Sequence, residues 1–293
     1  MNVLSLFDGM SCGQIALERT GIKVDNYFAS EIKPQAIKVT QHNYPKTIQL
    51  GDVTKIKGCN LPKIDLLIGG SPCQDFSRAN MERKGLKGGK SSLFMEYLRV
   101  VEEVKPSFFL LENVVMDFMD EMTITNYMKT RPVKINSSLV SAQMRERLYW
   151  TNIGPEDFDL FGNRESSIPQ PTDKRISFQS VLSSGYADKI KSHCLHTSNG
   201  QTGKDPVKMW ARYNTCRMDN LVFIDPSLDH QKGIRYLEQS ELERLQTLPD
   251  GYTHILDIKK AHNLIGDGWT VDVIAHIFRF LPGIYKNHDK TEV

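Results

Sequence analysis

A cysteine directly after a proline, Pro72-Cys73, follows an apolar run that closes with Gly69-Gly70-Ser71. A thiol on so rigid a turn suits nucleophilic chemistry, because the amides of a following helical turn lower its pKa and enlarge the thiolate fraction. The same pair is equally compatible with a buried structural thiol. Leu111-Glu112-Asn113-Val114 puts a carboxylic acid at the end of another apolar run, where it could give or take a proton beside that nucleophile. Gln143, Arg145 and Arg147 alternate, and on a strand they would share one face. A surface ion-pair ladder with Glu146 is the other reading. Phe7-Asp8-Gly9-Met10-Ser11-Cys12-Gly13 is a glycine-bearing turn that lets a ligand approach the backbone. It lacks the G-x-G-x-x-G spacing, which removes the main support for a nicotinamide-dependent oxidoreductase. Glu31 and Asp52 end two further runs, where a carboxylate can hold ribose hydroxyls and accept from an adenine amino group, respectively. Each acid alone is as readily a surface charge. Asp8, Glu31 and Asp52 at successive run ends argue together for a nucleoside ligand.

Such residues need a scaffold that gathers the ends of several strands. Val3–Phe7, Tyr27–Ser30, Ile48–Leu50, Ile64–Ile68 and Phe108–Leu111 are predicted strands, each ending at a polar or small residue. Gly13–Thr20, Pro34–Asn43 and Ser91–Val104 are predicted helices between them, with Pro34 at a favourable first-turn position. This alternation predicts an α/β fold, a mostly parallel sheet with helices on both faces that binds ligands outside the carboxyl ends of its strands. Val133–Val140 and Leu148–Ile153 are predicted to pair late and close the sheet. Three regions follow: 1–153 as the main domain, 154–234 as a small loop-rich region, and 235–293 as a return to the main domain through helices at Glu238–Leu245 and Val271–Phe280.

Of the 293 residues 40% are hydrophobic and 25% charged, the balance of a soluble globular chain. No apolar run approaches the ~20 residues of a membrane span. Met1–Phe7 is too short for a signal peptide and reads as a buried strand. The cysteines Cys12, Cys59, Cys73, Cys194 and Cys216 are odd in number and scattered, which disfavours a disulfide framework or zinc site and fits a reducing cytoplasm. Net charge is +2, so the chain as a whole is no polycation. Basic residues nevertheless gather between Lys174 and Arg217, and again at Arg78, Arg83, Lys84, Lys87 and Lys90. Either stretch is a solvated loop or the footprint of a polyanion partner.

The ordered series F-D-G-x-x-x-G from Phe7, Glu31, Gly51-Asp52-Val53, Gly70-Ser71-Pro72-Cys73-Gln74, Glu112-Asn113-Val114 and Gln143-x-Arg145-x-Arg147 resembles the cytosine-C5 DNA methyltransferases. Arg235-Tyr236-Leu237-Glu238 through Arg244 resembles the family's ninth motif, and Gly266-Asp267-Gly268-Trp269 its tenth. The match runs over residues 3–281, with family landmarks missing only in 154–234. Two departures stand out. Most bacterial members have glycine where this chain has Ser11, and Gly-Asn-Ser/Ala where it has Gly266-Asp267-Gly268; Asp8, Gly13 and Trp269 are closer to the animal de novo enzymes.

The resemblance implies a Rossmann-like S-adenosylmethionine-dependent fold with one antiparallel strand and a target-recognition region at 154–234. It implies Cys73 as nucleophile, Glu112 as proton donor to the ring, Arg147 on the cytosine O2, and Arg145 supporting a loop or phosphate. Phe7, Asp8, Gly9, Met10, Cys12, Gly13, Glu31, Ile32, Asp52, Val53, Ser71, Asp267, Gly268 and Trp269 would line the S-adenosyl-L-methionine site, S-adenosyl-L-homocysteine being the product and no metal being required. Because a stacked base is out of reach, the target must flip out of the duplex. Gln74, Ser77, Arg78, Arg83, Lys84, Lys87 and Gln143 are candidate DNA contacts, with a mobile loop over Ser77–Gly89 closing on the duplex. Lys174–Arg217 would supply phosphate contacts, and Asn199, Gln201, Lys204 and Arg212 are candidate base readers. Double-stranded DNA is the expected partner of a monomer in a bacterial or phage-infected cytoplasm, with a cognate restriction endonuclease as a possible counterpart. A tRNA cytosine methyltransferase of the same fold would carry a Cys-Phe-Thr signature. Here the nearest context is His193-Cys194-Leu195-His196. An inactive DNA-binding paralogue is disfavoured by the complete set Cys73, Glu112, Arg145 and Arg147.

Overall fold

The computed structural model describes residues 1–71, 92–158, 164–196, 205–216 and 219–282. Contacts divide the chain into two units, Met1–Ile135 with Glu146–Gln170 and Ile274–Val293, and Asn136–Arg145 with Pro171–Val273.

The first unit is an α/β sheet. Its elements are β1 (Asn2–Leu6), α1 (Cys12–Arg19), β2 (Asn26–Ser30), α2 (Pro34–Asn43), β3 (Ile48–Gln49), β4 (Leu66–Gly70), α3 (Ser92–Val104), β5 (Phe108–Val114), α4 (Phe118–Met128), β6 (Thr130–Arg131), β7 (Val133–Asn136), β8 (Glu146–Thr151), β9 (Glu156–Phe158) and β10 (Arg164–Ser166). The large sheet runs β3-β2-β1-β4-β5-β8-β7. β1 pairs in parallel with β2 and β4, β2 with β3, and β4 with β5; β8 lies antiparallel to β5. The central strands read as near-continuous apolar runs because both faces of a parallel sheet are covered. Leu4, Leu6, Leu67, Leu111 and Trp150 are fully buried, and Phe94, Tyr97 and Val100 of α3 pack into the same core. The indole of Trp150 donates to Thr125 Oγ1 of α4 at 3.0 Å, which satisfies its one polar atom. A smaller sheet orders β6-β10-β9.

The strand predicted over 133–140 ends at Asn136, where the Asn136 side chain accepts from Ser138 N and starts a 3₁₀ turn at Ser137–Leu139. Helix α4 was not anticipated from the sequence, since its apolar residues follow no clean helical stripe.

The second unit holds α5 (Phe178–Val181), α6 (Pro206–Cys216), β11 (Val222–Phe223) antiparallel to β12 (Ile234–Arg235), α7 (Gln239–Leu245) and α8 (Ile258–Asp267); the chain re-enters the first unit within α9 (Val271–Phe278). Its small core joins Met209, Leu221, Phe223 and Ile234. Helix α7 begins with a reciprocal capping box between Glu238 and Glu241. Buried Glu243 accepts from the amides of Gly251 and Thr253 at 2.6 and 2.7 Å and from the Thr253 hydroxyl at 2.6 Å. Among the described residues no helix is long and apolar enough to cross a membrane.

Gly69, near the end of β4, is fixed by close approach. A Cβ there would stand 3.0 Å from both the Leu6 carbonyl oxygen and the Tyr97 ring. Gly69→Ala should therefore cost ~1–3 kcal/mol of overpacking strain, measured as a lower denaturant midpoint at constant slope. An unchanged midpoint would show that the Tyr97 ring yields freely.

Candidate active site

The carboxyl ends of the parallel strands carry the residues of interest in the first unit. β4 and β5 pair so that Gly70 faces Glu112, and Asn113 Nδ2 donates to Ser71 Oγ at 3.2 Å. Ser71 and Asn113 are both buried. The strand that leads to Cys73 is thus tied to the residue following Glu112. Cys73 itself, with Gln74, Ser77, Arg78, Arg83, Lys84 and Lys87, lies outside the described residues, as do Asn199, Gln201 and Lys204.

Glu112 stands opposite Tyr149 on β8, and Arg147 stands opposite Val114. The two are therefore a diagonal cross-strand pair on one face. Arg147 Nε reaches Glu112 Oε1 at 3.0 Å, with both side chains largely buried. Arg147 Nη1 also donates to the Glu146 carbonyl at 2.7 Å.

The expected single face for Gln143, Arg145 and Arg147 does not form, because β8 begins only at Glu146. Arg145 is buried within the second unit and donates to the Gly268 carbonyl at 3.0 Å, the Leu195 carbonyl at 3.4 Å and Cys194 Sγ at 3.3 Å. This fits a loop-supporting group. Gln143, expected to touch DNA, is instead fully buried. Its Nε2 donates to the Leu245 carbonyl and Gln246 Oε1, both at 3.1 Å, and its Oε1 accepts the Leu195 amide at 2.7 Å. Both ends of its amide thus hold loop backbone together in this structure.

The first turn is built on an unusual backbone. Phe7, Gly9 and Ser11 have φ of 57°, 60° and 60°, all left-handed. Gly9 adopts this freely, and a Cβ there would meet no atom within 4 Å. Ser11 has no such freedom, and the strain of a left-handed serine is of order 1 kcal/mol. A polar cluster surrounds it. The Ser11 hydroxyl donates to Asp8 Oδ2 and accepts from Thr40 Oγ1 at 3.2 Å, and the Tyr27 hydroxyl donates to Asp8 Oδ1 at 2.8 Å. Tyr27 and Thr40 carry no signal in the sequence, because a tyrosine inside a strand and a threonine inside a helix read as ordinary core positions.

Glu31, just beyond β2, accepts from the Gly9 amide at 2.8 Å on Oε2 and from the Ile32 and Lys33 amides at 2.7 and 2.9 Å on Oε1. Two oxygens offer about four acceptor sites, so one remains on Oε2 for a ribose hydroxyl. Asp52 Oδ1 accepts the Thr54 amide at 3.0 Å, and this bond together with the Thr54 side chain holds its carboxyl below the usual range. Ile32 is 69% exposed and Val53 is buried. Met10, Cys12 and Gly13 are buried. An open Gly9 and a residual acceptor on Glu31 fit a nucleoside-bearing ligand. Asp267, Gly268 and Trp269 belong to the second unit, at the end of α8 and beyond it.

Among the described residues of the basic stretch, several cations bind groups of the second unit, while Lys174, Arg175 and Lys208 are exposed. Lys174 pairs with Asp272 at 2.8 Å, and Lys191 donates to three carbonyls (Ser138, Ser141 and Ile176) at 2.6–2.9 Å. Lys189 lies over the Tyr213 ring, 4.8 Å from its centroid. Arg212, a candidate base reader, instead reaches the buried Asp219 at 2.7 Å. An arginine committed to a buried carboxylate is costly to release.

Burial pushes the Asp8 carboxyl from 3.8 up to about 6, against hydrogen bonds from Ser11, Ser5 and Tyr27 and with a smaller push from the Glu31 charge. A carboxyl raised in this way holds its proton more tightly folded than unfolded. Its contribution to stability is full below about pH 4 and is lost as pH rises through about 6, a difference of at most ~3 kcal/mol. Asp8→Asn should flatten the stability profile over that window, and a denaturation series from pH 4 to 7.5 checks it. An unchanged slope would mean that Asp8 titrates as an ordinary carboxyl.

Comparison of the sequence with known proteins points to one family. The model of the C-5 cytosine-specific DNA methylases matches residues 1–173. The chain is 35% identical over 181 residues to the orphan methyltransferase M.SPRI of Bacillus phage SPR, covering 57% of this chain and 40% of that protein. It is 34% identical over 171 residues to the type II methyltransferase M.NlaIV of Neisseria lactamica, covering 55% and 39%. These matches thus span about two fifths of the relatives' length. Among solved structures, the Entamoeba histolytica methyltransferase EhMeth superposes with a TM-score of 0.68 at 16% identity, over 100% of this chain and 99% of its own. A Spodoptera frugiperda DNMT2 variant superposes with a TM-score of 0.64 at 16% identity, over 95% and 98%. At such identity the two structures speak for the fold alone.

Proposed function

Because the chain belongs to the C-5 cytosine-specific DNA methylase family, we propose that it transfers a methyl group from S-adenosyl-L-methionine to C5 of a cytosine flipped out of duplex DNA, through a covalent Cys73 adduct. The observation that supports this best is the 3.0 Å ion pair between Arg147 of β8 and Glu112 of β5, the strand that pairs with β4, which leads to Cys73.

Cytosine C5 is a poor nucleophile while the ring is aromatic. Addition of the Cys73 thiolate to C6 breaks the aromaticity and turns C5 into an enamine carbon. Electron density moves toward N3, where Glu112 supplies a proton, while Arg147 donates to O2 and keeps the ring in register. Bound S-adenosyl-L-methionine supplies the electrophilic methyl group. Loss of the C5 proton to a base, such as an ordered water, then expels the Cys73 thiolate, and N3 returns its proton to the Glu112 carboxylate as the neutral ring is restored. Phe7, Gly9, Glu31 and Asp52 are the residues that would hold the cofactor, Glu31 through its residual acceptor and Asp52 through its carboxylate. Flipping costs a few kcal/mol, which contacts in the duplex must supply. The Ser77–Gly89 stretch is suited to closing over the DNA, and 154–234 to reading the target. Protection of a host or phage genome against a restriction endonuclease of matching specificity is the corresponding biological role.

Base-resolution mapping of 5-methylcytosine in a methylation-free bacterium expressing the chain should reveal one short modified motif, absent with Cys73→Ala. Folded protein that binds the cofactor and leaves the DNA unmodified would refute the reaction. Glu112→Gln should slow transfer ~10²-fold or more while leaving the DNA dissociation constant within about 3-fold. A loss confined to affinity would remove Glu112 from the chemistry.

A further inference from the structure

The first turn contains a buried serine in a left-handed conformation and, beside it, a carboxylate whose visible bonds all run back into the protein. Asp8 sits at the hub. One oxygen receives the Tyr27 hydroxyl of β2 and the other receives the Ser11 hydroxyl. Ser11 in turn receives Thr40 Oγ1 of α2, which also lies 3.4 Å from the Gly9 carbonyl. The Asp8 amide donates to the Ser30 carbonyl at 3.0 Å, and the Gly9 amide to Glu31 Oε2 at 2.8 Å. The carboxylate therefore joins the turn to β2 directly and to α2 through Ser11. Without it, the Ser11 hydroxyl has no acceptor for its proton among these groups, and the left-handed residue keeps its backbone bonds to the Asp8 carbonyl and the Gln14 amide.

We propose that the Asp8 carboxylate is a positioning latch, which clamps the left-handed Ser11 against Tyr27 and thereby fixes the Gly9 backbone in the shape that receives S-adenosylmethionine, without itself touching the cofactor. The inference rests on the reading of this turn as the cofactor site. It also accounts for a serine in a conformation that glycine would take unaided. The groups facing Asp8 are Ser5 of β1, Tyr27 of β2, Ser11 and the Glu31 charge, with the Cys12 thiol of α1 beyond Tyr27. Burial lifts the carboxyl to about 6, so near neutral pH the ionised latch lowers the stability of the fold. A group that costs stability and persists in a binding turn is the pattern expected of a functional constraint.

The test is a double-mutant cycle on the full chain, read as S-adenosylmethionine affinity by calorimetry at pH 7.5. Asp8→Ala should weaken binding ~10-fold or more, Ser11→Gly should stay within about 3-fold of the parent, and the double variant should recover to within about 3-fold, because glycine needs no clamp. An Asp8→Ala loss that persists undiminished beside Ser11→Gly overturns the latch and makes Asp8 a direct cofactor ligand. Should the parent chain bind no S-adenosylmethionine, the functional reading fails on its own, and hydrogen exchange at the Gly9 amide in the ligand-free chain still decides the latch. Exchange should accelerate ~10-fold in Asp8→Ala and return toward the parent rate in the double variant. Exchange equally fast in both overturns it.

Discussion

The antiparallel pairing of β8 with β5 is the constraint on which the chemistry of the first unit depends. Glu112 and Arg147 come from separate strands, and they meet because Val114 opposes Arg147 and Glu112 opposes Tyr149. A slip of one residue would send Arg147 to the other face of the sheet. What prevents the slip is the apolar partner set. Leu111 faces Trp150, both are fully buried, and the Trp150 indole is further held by Thr125. The ion pair is thus positioned by residues that take no part in it, and the energy that fixes its register is hydrophobic.

Charge in the second unit works differently from what its composition suggests. A stretch dense in lysine and arginine is an electrostatic footprint only if the cations face solvent. Here Lys191 and Arg212 are committed to three carbonyls and to a buried aspartate, so they stabilise loops that lack long helices or strands of their own, while Lys174, Arg175 and Lys208 face solvent. The lesson is general for loop-rich regions: where backbone carbonyls cannot be satisfied by regular ladders, long cationic side chains do the work.

The parallel sheet was legible because its strands are continuous apolar runs that end in Gly, Ser, Asp or Glu, and α2 was legible to the residue because Pro34 marks its first turn. Glu112 and Arg147 were legible as a spacing. Their partnership was not, since it depends on strand register. Gln143 and Arg145 misled because alternation implies a shared face only on a strand, and the chain there turns through Ser137–Leu139 and enters β8 only at Glu146. Tyr27 and Thr40 were invisible because their roles arise from a turn built by other residues. Ser11 was noticed as a departure from glycine, and its left-handed φ gives that departure a physical meaning.

The division of the chain into units has a consequence for synthesis. The first unit is assembled from three separate stretches, the last of which begins at Ile274, whereas the second is confined between Asn136 and Val273. On the ribosome, the sheet from β1 to β5 emerges early but waits for its final helical segment until every residue of the second unit has been made. Contacts between segments so far apart in sequence form late, because the intervening loop must close before they stabilise anything. Until the stretch from Ile274 is made, the apolar surface of the nascent first unit that it packs against stays uncovered.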